Sequence, residues 1–253
     1  MSQSDKARSF AALHTAQDPL VPFNIWDAGS ARAVADAGAA AIATGSWSVA
    51  AAQGYPDGET IPLDLLLGIA ARIVAATELP VSIDFEGGYA REPGELRANT
   101  RRLLDTGAVG INFENQIVGA DELYEIAEQA DRIAAIRQAA EDARVPLFIN
   151  ARTDLFLKQS DQTMHAGLID QAIERATRYA AAGASGFFVP GLSDAGLITR
   201  ICGAVSLPVN IMRPGATPSR SELGALGVAR ISAGPAPYRT MIADLGAHFA
   251  ELR

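Results

Sequence analysis

Three acidic residues and one arginine have the types and spacing to do chemistry. Asp84 and Glu86 lie two apart in Pro80-Val81-Ser82-Ile83-Asp84-Phe85-Glu86, a run that reads as a strand, so their side chains share a face. Glu114 ends the next such run, Val109–Glu114. Three carboxylates in one small space repel one another unless a cation neutralises them, and an all-oxygen donor set suits Mg²⁺ or Mn²⁺ better than zinc. The competing roles are capping of adjacent helices and pairing with Arg91 or Arg152; three acids at adjacent strand ends favour the metal. Arg152 follows the fifth strand-like run, Val145–Asn150. A guanidinium there can grip a carboxylate with two hydrogen bonds, or be held in a structural ion pair with Asp154 or Glu114. Gly45-Ser46 closes the second run, where two consecutive amides suit an oxyanion or simply form a turn.

These residues need a scaffold that gathers strand ends. Eight short apolar runs alternate with helix-length segments, in the order expected of a parallel sheet buried on both faces. They are 22–26, 40–44, 80–86, 109–114, 145–150, 186–189, 209–212 and 228–232, and the last helix spans 237–252. Eight strand–helix units in 253 residues predict a single (β/α)8 barrel over 1–253, with chemistry at the carboxyl ends of its strands. Asp27-Ala28-Gly29-Ser30 is no dinucleotide-binding turn, which disfavours an open doubly wound sheet. The other polar strand ends are Thr44 on the second, Asn112 on the fourth, Asn210 on the seventh and Ser232 on the eighth.

Composition excludes other classes. The net charge of −8 and the lack of a basic run argue against nucleic-acid partners. No apolar run reaches the roughly 18 residues of a membrane span. The N-terminus does not read as a signal peptide, and one cysteine, Cys202, fits a reducing cytoplasm. Cys202 falls in the sixth helix and reads as a packed thiol. His14, His165 and His248 miss the strand ends and read as surface residues. Trp47 and Tyr55 flank the long second loop, as pocket lining or as apolar anchors.

In order and spacing, several stretches together resemble the isocitrate lyase/phosphoenolpyruvate mutase superfamily over nearly the whole chain. They include Asn24-Ile25-Trp26-Asp27-Ala28, Ala43-Thr44-Gly45-Ser46, Gly54-Tyr55-Pro56-Asp57-Gly58-Glu59, Asp84-Phe85-Glu86-Gly87-Gly88-Tyr89, Gly110-Ile111-Asn112-Phe113-Glu114, Asn150-Ala151-Arg152-Thr153-Asp154 and Pro208-Val209-Asn210. The resemblance implies a barrel whose last helix is exchanged between subunits of a homodimer or homotetramer. It implies Mg²⁺ held, partly through water, by Asp84, Glu86 and Glu114. It also implies a 2-oxo acid or its enolate chelating that metal, its carboxylate held by Gly45, Ser46 and Arg152. Thr44 and Asn210 join the substrate-binding set, and Asp57 approaches the reacting centre with Arg152.

The departures bear on the reaction. The lyases of this superfamily carry a cysteine in a loop after the fourth strand, and the phosphonate enzymes a lysine. This chain has Glu114-Asn115-Gln116-Ile117-Val118-Gly119-Ala120, with neither. Asn115 replaces the usual aspartate, and the loop is short. What remains suits a carbon–carbon lyase of a small 2-oxo acid, by oxaloacetate-type decarboxylation or retro-aldol cleavage through a metal-stabilised enolate. The alternatives are phosphorus–carbon chemistry of the phosphoenolpyruvate mutase or phosphonopyruvate hydrolase type, and a 2-oxo acid binder with little turnover.

Overall fold

Eight parallel strands pair in sequence order: β1 (Asn24–Ile25), β2 (Ile42–Thr44), β3 (Val81–Asp84), β4 (Gly110–Glu114), β5 (Phe148–Arg152), β6 (Gly186–Phe188), β7 (Val209–Met212) and β8 (Val228–Ser232). This computed structural model describes residues 1–213 and 218–253. Closure between the first and last strands comes from Leu20, whose amide donates to Ala229 O at 2.9 Å and whose carbonyl accepts from Ile231 N at 2.8 Å. The nearly closed ring with helices between its strands is the expected (β/α)8 barrel.

The helices are α1 (Gln3–Ala12), α2 (Ala28–Asp36), α3 (Ser46–Ala52), α4 (Leu63–Ala75), α5 (Pro93–Asp105), α6 (Ile126–Asp142), α7 (Leu155–Lys158), α8 (Ile169–Ala181), α9 (Ala195–Ala204), α10 (Arg220–Ala225) and α11 (Ala236–Glu251). Three were not read from the sequence: α1, α3 and α7. The short α3 and α7 follow β2 and β5 directly and bring residues over the barrel mouth. The apolar spacing of Leu123, Ile126, Ala127, Ala130, Ile133, Ala134 and Ile136 reads as a helix over 120–143, whereas α6 starts only at Ile126. Residues 117–120 instead turn through Gly119, whose φ of +81° a glycine adopts without strain. Gln116 and Leu123 then pair as an antiparallel bridge. β5 also starts later than expected, because Pro146 has no amide to give to the ladder; its first rung is Phe148 N to Val109 O at 3.0 Å.

Of the three histidines read as surface residues, His248 is exposed, but His14 and His165 are buried. α1 inserts Phe10 and brings His14 against β5. The His14 ring stacks on Phe148 at 3.9 Å, and its Nδ1 lies 2.9 Å from Phe10 O. His165 is likewise buried, its Nε2 2.9 Å from Gln159 O. Arg230 is fully buried above Phe10, with Nη2 3.4 Å from Asn112 Oδ1, while Asn150 donates to the same oxygen at 2.8 Å. Burial holds the guanidinium down at about 10, against the pull of Asp84.

Burial, then the positive charge of Arg230, pushes the His14 pKa down to about 3. The folded state therefore holds a neutral ring where the unfolded chain, with a histidine pKa of about 6.5, takes up a proton. His14 contributes its full stability above about pH 6.5 and loses it progressively as pH falls towards 3. Urea unfolding at pH 7 and pH 4 should show a loss of about 3 kcal/mol in the wild type that His14→Phe does not share. Parallel pH profiles for the two proteins would contradict this.

Candidate active site

The strand ends build a cavity of about 180 Å³ lined by residues that include Ser46, Asp57, Asp84, Asn112 and Arg152. A second lobe of about 210 Å³ is lined by Glu86, Glu114, Gln116 and Gly119, and shares Ser46, Asp57 and Arg152 with the first. Arg152 and Asp57 thus stand where the lobes meet.

Asp84 is positioned by two hydrogen bonds. Its amide donates to Thr44 Oγ1 at 2.8 Å, and the Ser46 amide donates to its Oδ2 at 3.0 Å. Its Oδ1 is buried with no hydrogen-bond partner. Thr44 therefore acts on the Asp84 backbone. The Gly45 amide bonds Ile25 O at 3.2 Å, so both amides proposed for an oxyanion are engaged in this state.

Glu86 is held by the loop that carries Asp57. The amides of Gly58 and Glu59 donate to its Oε2 at 3.0 and 2.8 Å, and the Tyr89 amide donates to Glu59 Oε1 at 2.7 Å. Glu59, Glu86 and Tyr89 all have left-handed backbones, with φ of 56°, 49° and 57°. Such conformations cost non-glycine residues on the order of 1–3 kcal/mol each, so this interlock stores strain at the cavity wall. Glu59 was not singled out in the sequence, although it closes the Gly54–Glu59 motif.

Arg152 is both ion-paired and exposed to the cavity. Its Nη1 lies 2.8 Å from Glu114 Oε2 and its Nε 2.6 Å from Asp154 Oδ1. Burial alone would lower its pKa, but Glu114, Asp154 and Asp84 raise it, so the cation is secure. Asn115 faces away from the cavity: its Oδ1 accepts the Asp154 amide at 3.0 Å and its Nδ2 donates to Thr153 Oγ1 at 3.3 Å. Its missing charge therefore falls on the β4–β5 join. Asn210 sits behind Ser232, donating to its Oγ at 3.1 Å, and Ser232 rather than Asn210 lines the cavity. Trp47 lines it too, packed against Tyr238 at 5.9 Å; Tyr55 packs on the core instead.

The acids strain one another. Burial, then Asp57 and Asp84, pushes Glu86 up to about 8. Burial, then Asp84, raises Asp57, which stays open at the mouth with the Ser46 hydroxyl and Gly58 amide as partners. Glu114 is raised well above its usual range by burial and neighbouring acids, although Arg152 opposes the shift. A divalent cation would relieve this repulsion, and the unpartnered Asp84 Oδ1 offers it a hard oxygen ligand. The three acids do not form the compact cluster that their places in the sequence suggested. Among the described residues no three acidic, histidine or cysteine side chains are grouped to hold one ion, because Glu114 is turned onto Arg152 and Glu86 onto the 58–59 amides. Mg²⁺ fits such a site, since it keeps several waters and takes one or two carboxylates directly.

Cys202 lies in α9, packed against Gly227 and outside the lining of either lobe, and burial pushes its thiol up to about 11. Cys202→Ser should keep any 2-oxo acid turnover within about twofold, as expected of a substitution remote from the chemistry. A loss of activity in that variant would show that the thiol reaches the reaction.

A family model described as phosphoenolpyruvate phosphomutase matches residues 10–253. The crystal structure of a protein of Burkholderia cenocepacia J2315, whose assignment as a phosphonomutase is itself provisional, is 48% identical, superposes with a TM-score of 0.96, and covers 100% of both chains. Oxaloacetate decarboxylase of Bradyrhizobium sp. (strain BTAi1) is 30% identical over 224 residues, 86% of this chain and 73% of that one. 2-Methylisocitrate lyase of Escherichia coli (strain K12) is 29% identical over 226 residues, 86% of this chain and 74% of that one.

Proposed function

This chain belongs to the phosphoenolpyruvate phosphomutase family, an enzyme of the isocitrate lyase/phosphoenolpyruvate mutase superfamily, and from that premise we propose that it is a Mg²⁺-dependent carbon–carbon lyase of a small 2-oxo acid, by oxaloacetate-type decarboxylation or retro-aldol cleavage. The observation that carries this reading is the buried, unpartnered Oδ1 of Asp84, a residue that lines one cavity together with Arg152 and Asp57. The oxaloacetate decarboxylase and 2-methylisocitrate lyase relatives support a lyase.

Asp84 would contact the metal directly, with Glu86 and Glu114 acting through water. When bound, Mg²⁺ supplies Lewis-acid stabilisation of the negative charge that develops on the substrate oxygen. Mn²⁺ suits the same donors. Arg152 grips the substrate carboxylate and fixes its plane, with Ser46 beside it. Asp57, its pKa raised, holds or relays a proton at the mouth. No lysine or cysteine stands in 114–120 to serve the phosphonate or isocitrate chemistries. A screen of 2-oxo acids with Mg²⁺ tests the reading: oxaloacetate loss should exceed the metal-only background and fail in Asp57→Asn. Turnover of phosphonopyruvate alone would overturn it in favour of phosphorus–carbon chemistry; tight binding without turnover of any acid would make the protein a binder.

The assembly is a homo-oligomer on this reading. α11 buries none of its residues; it exposes Ile242, Leu245 and Phe249, and Leu252 just after it is exposed too. Its first turn is anchored to the barrel by ring contacts, with Tyr238 against Trp26 at 5.0 Å and against Trp47. An exchanged helix would cover that face in a dimer or tetramer. Sedimentation should show a dimer or larger, and Leu245→Arg with Phe249→Arg should shift it to monomer; a monomeric wild type would contradict the exchange. No helix of the described residues is long and apolar enough to cross a membrane. A cytoplasmic location is proposed from the lone free thiol.

A further inference from the structure

We infer that the substrate carries an uncharged, aliphatic group beyond its reacting carbon, so that the site selects an alkyl-substituted 2-oxo acid over a phosphonate or a tricarboxylic acid. This rests on the lyase reading above and narrows its substrate.

The barrel mouth is divided by topology. The ends of β2 to β5 carry Ser46, Asp84, Glu114 and Arg152. The opposite arc, after β6, β7 and β8, presents Phe188, Pro190, Met212 and Pro235 to the first lobe, with Trp47 and Leu157 completing its apolar wall. Leu157, in α7, is 43% exposed, an aliphatic rim beside a cavity otherwise open to water.

Most polar groups on this arc are already satisfied; among the described lining residues the Ser48 hydroxyl, beside Trp47, is buried without a hydrogen-bond partner. Asn24 donates to Thr44 O at 2.9 Å, and its Oδ1 receives the amides of Ala233 and Gly234 at 2.8 and 3.0 Å. Asn210 and Ser232 bond each other. Among the described residues lining the cavity, Arg152 is the one cation, and Glu114 and Asp154 already flank it. A phosphonate, or a carboxylate other than the leaving one, pressed between Phe188 and Met212 would lose its water with no cation among the described residues lining that stretch; Arg239 lies outside it, over the Trp47 ring at 4.5 Å, and the Ser48 hydroxyl offers a single neutral partner. An alkyl group would instead bury apolar surface against Phe188 and Met212.

The test measures competition with oxalate in the presence of Mg²⁺ for pyruvate, 2-oxobutanoate, 2-oxopentanoate, oxaloacetate and phosphonopyruvate. Affinity should rise about fourfold per added methylene, and phosphonopyruvate should bind more weakly than 2-oxopentanoate. In Phe188→Asn the ratio of 2-oxopentanoate to pyruvate affinity should fall towards one. A flat alkyl series, or tighter binding of phosphonopyruvate, overturns this inference and leaves the lyase reading standing. Failure of oxalate itself to bind with Mg²⁺ overturns both.

Discussion

Asp84→Asn should lower Mn²⁺ affinity by about 100-fold or more while the barrel remains folded. The variant keeps the shape of the side chain, and an amide oxygen can still accept the Ser46 amide that now meets Oδ2 at 3.0 Å. What it removes is the charge of the one acid that combines a buried, unpartnered oxygen with a place on the cavity wall. Changes to groups that merely support a metal ligand typically cost about 10–100-fold in affinity, so loss of the direct ligand should reach or exceed the upper end. Glu86→Gln and Glu114→Gln should each cost less, because their oxygens are already engaged by the 58–59 amides and by Arg152. Calorimetric titration with Mn²⁺ checks the order. Equal affinity in Asp84→Asn and wild type would remove Asp84 from the metal site.

Arg152→Ala should produce two separable losses. Glu114 and Asp154 are buried and both ion-pair with this guanidinium. Removing one partner of a buried pair costs about 3–5 kcal/mol because the remaining charge is uncompensated, so the melting temperature should fall clearly. Truncating a hydrogen-bonded charge partner of a ligand costs about 2–5 kcal/mol, so oxalate affinity should also fall by roughly 30-fold or more. Arg152→Lys should restore more of the stability than of the oxalate affinity, since an ammonium is a point charge without the planar fork. A lower melting temperature with unchanged oxalate affinity would leave Arg152 a structural residue only. The sequence had left these two roles open; the geometry, with Arg152 paired and still lining both lobes, predicts both.

The barrel was legible because each strand is a short, largely apolar run and several carry a polar residue at the carboxyl end, and Asp84, Glu114 and Arg152 stand at the ends of β3, β4 and β5 as their sequence positions implied. In the ladder, Glu114 faces Arg152 directly across β4 and β5. The elements that escaped were those whose position depends on packing. α3 is seven residues, mostly Ser and Ala around Trp47, with no clear apolar period, and α1 is held by Phe10 entering the barrel floor. His14 and His165 look polar in sequence but are stacked on rings or bonded to carbonyls once the chain folds. The role of Thr44 was hidden for a different reason. A strand-end hydroxyl can serve a substrate or a neighbouring backbone, and only the 2.8 Å contact with the Asp84 amide shows the latter. The apolar arc was likewise unreadable, since Phe188 and Met212 look like ordinary core residues until the strand ends are arranged in a ring.

Oxalate titration with and without Mg²⁺ tests the central claim most directly, that a divalent cation at Asp84 and the Arg152 guanidinium together hold the planar dicarboxyl end of a 2-oxo acid. Oxalate reproduces that end and has nothing beyond it to occupy the apolar arc. The cavity wall is acidic, with Asp57 and Asp84 against one guanidinium already shared by Glu114 and Asp154, so the anion should not bind appreciably alone. Binding heat should appear only with Mg²⁺ or Mn²⁺ present and should disappear again in Asp84→Asn. Oxalate binding of equal affinity in the metal-free protein would contradict the account.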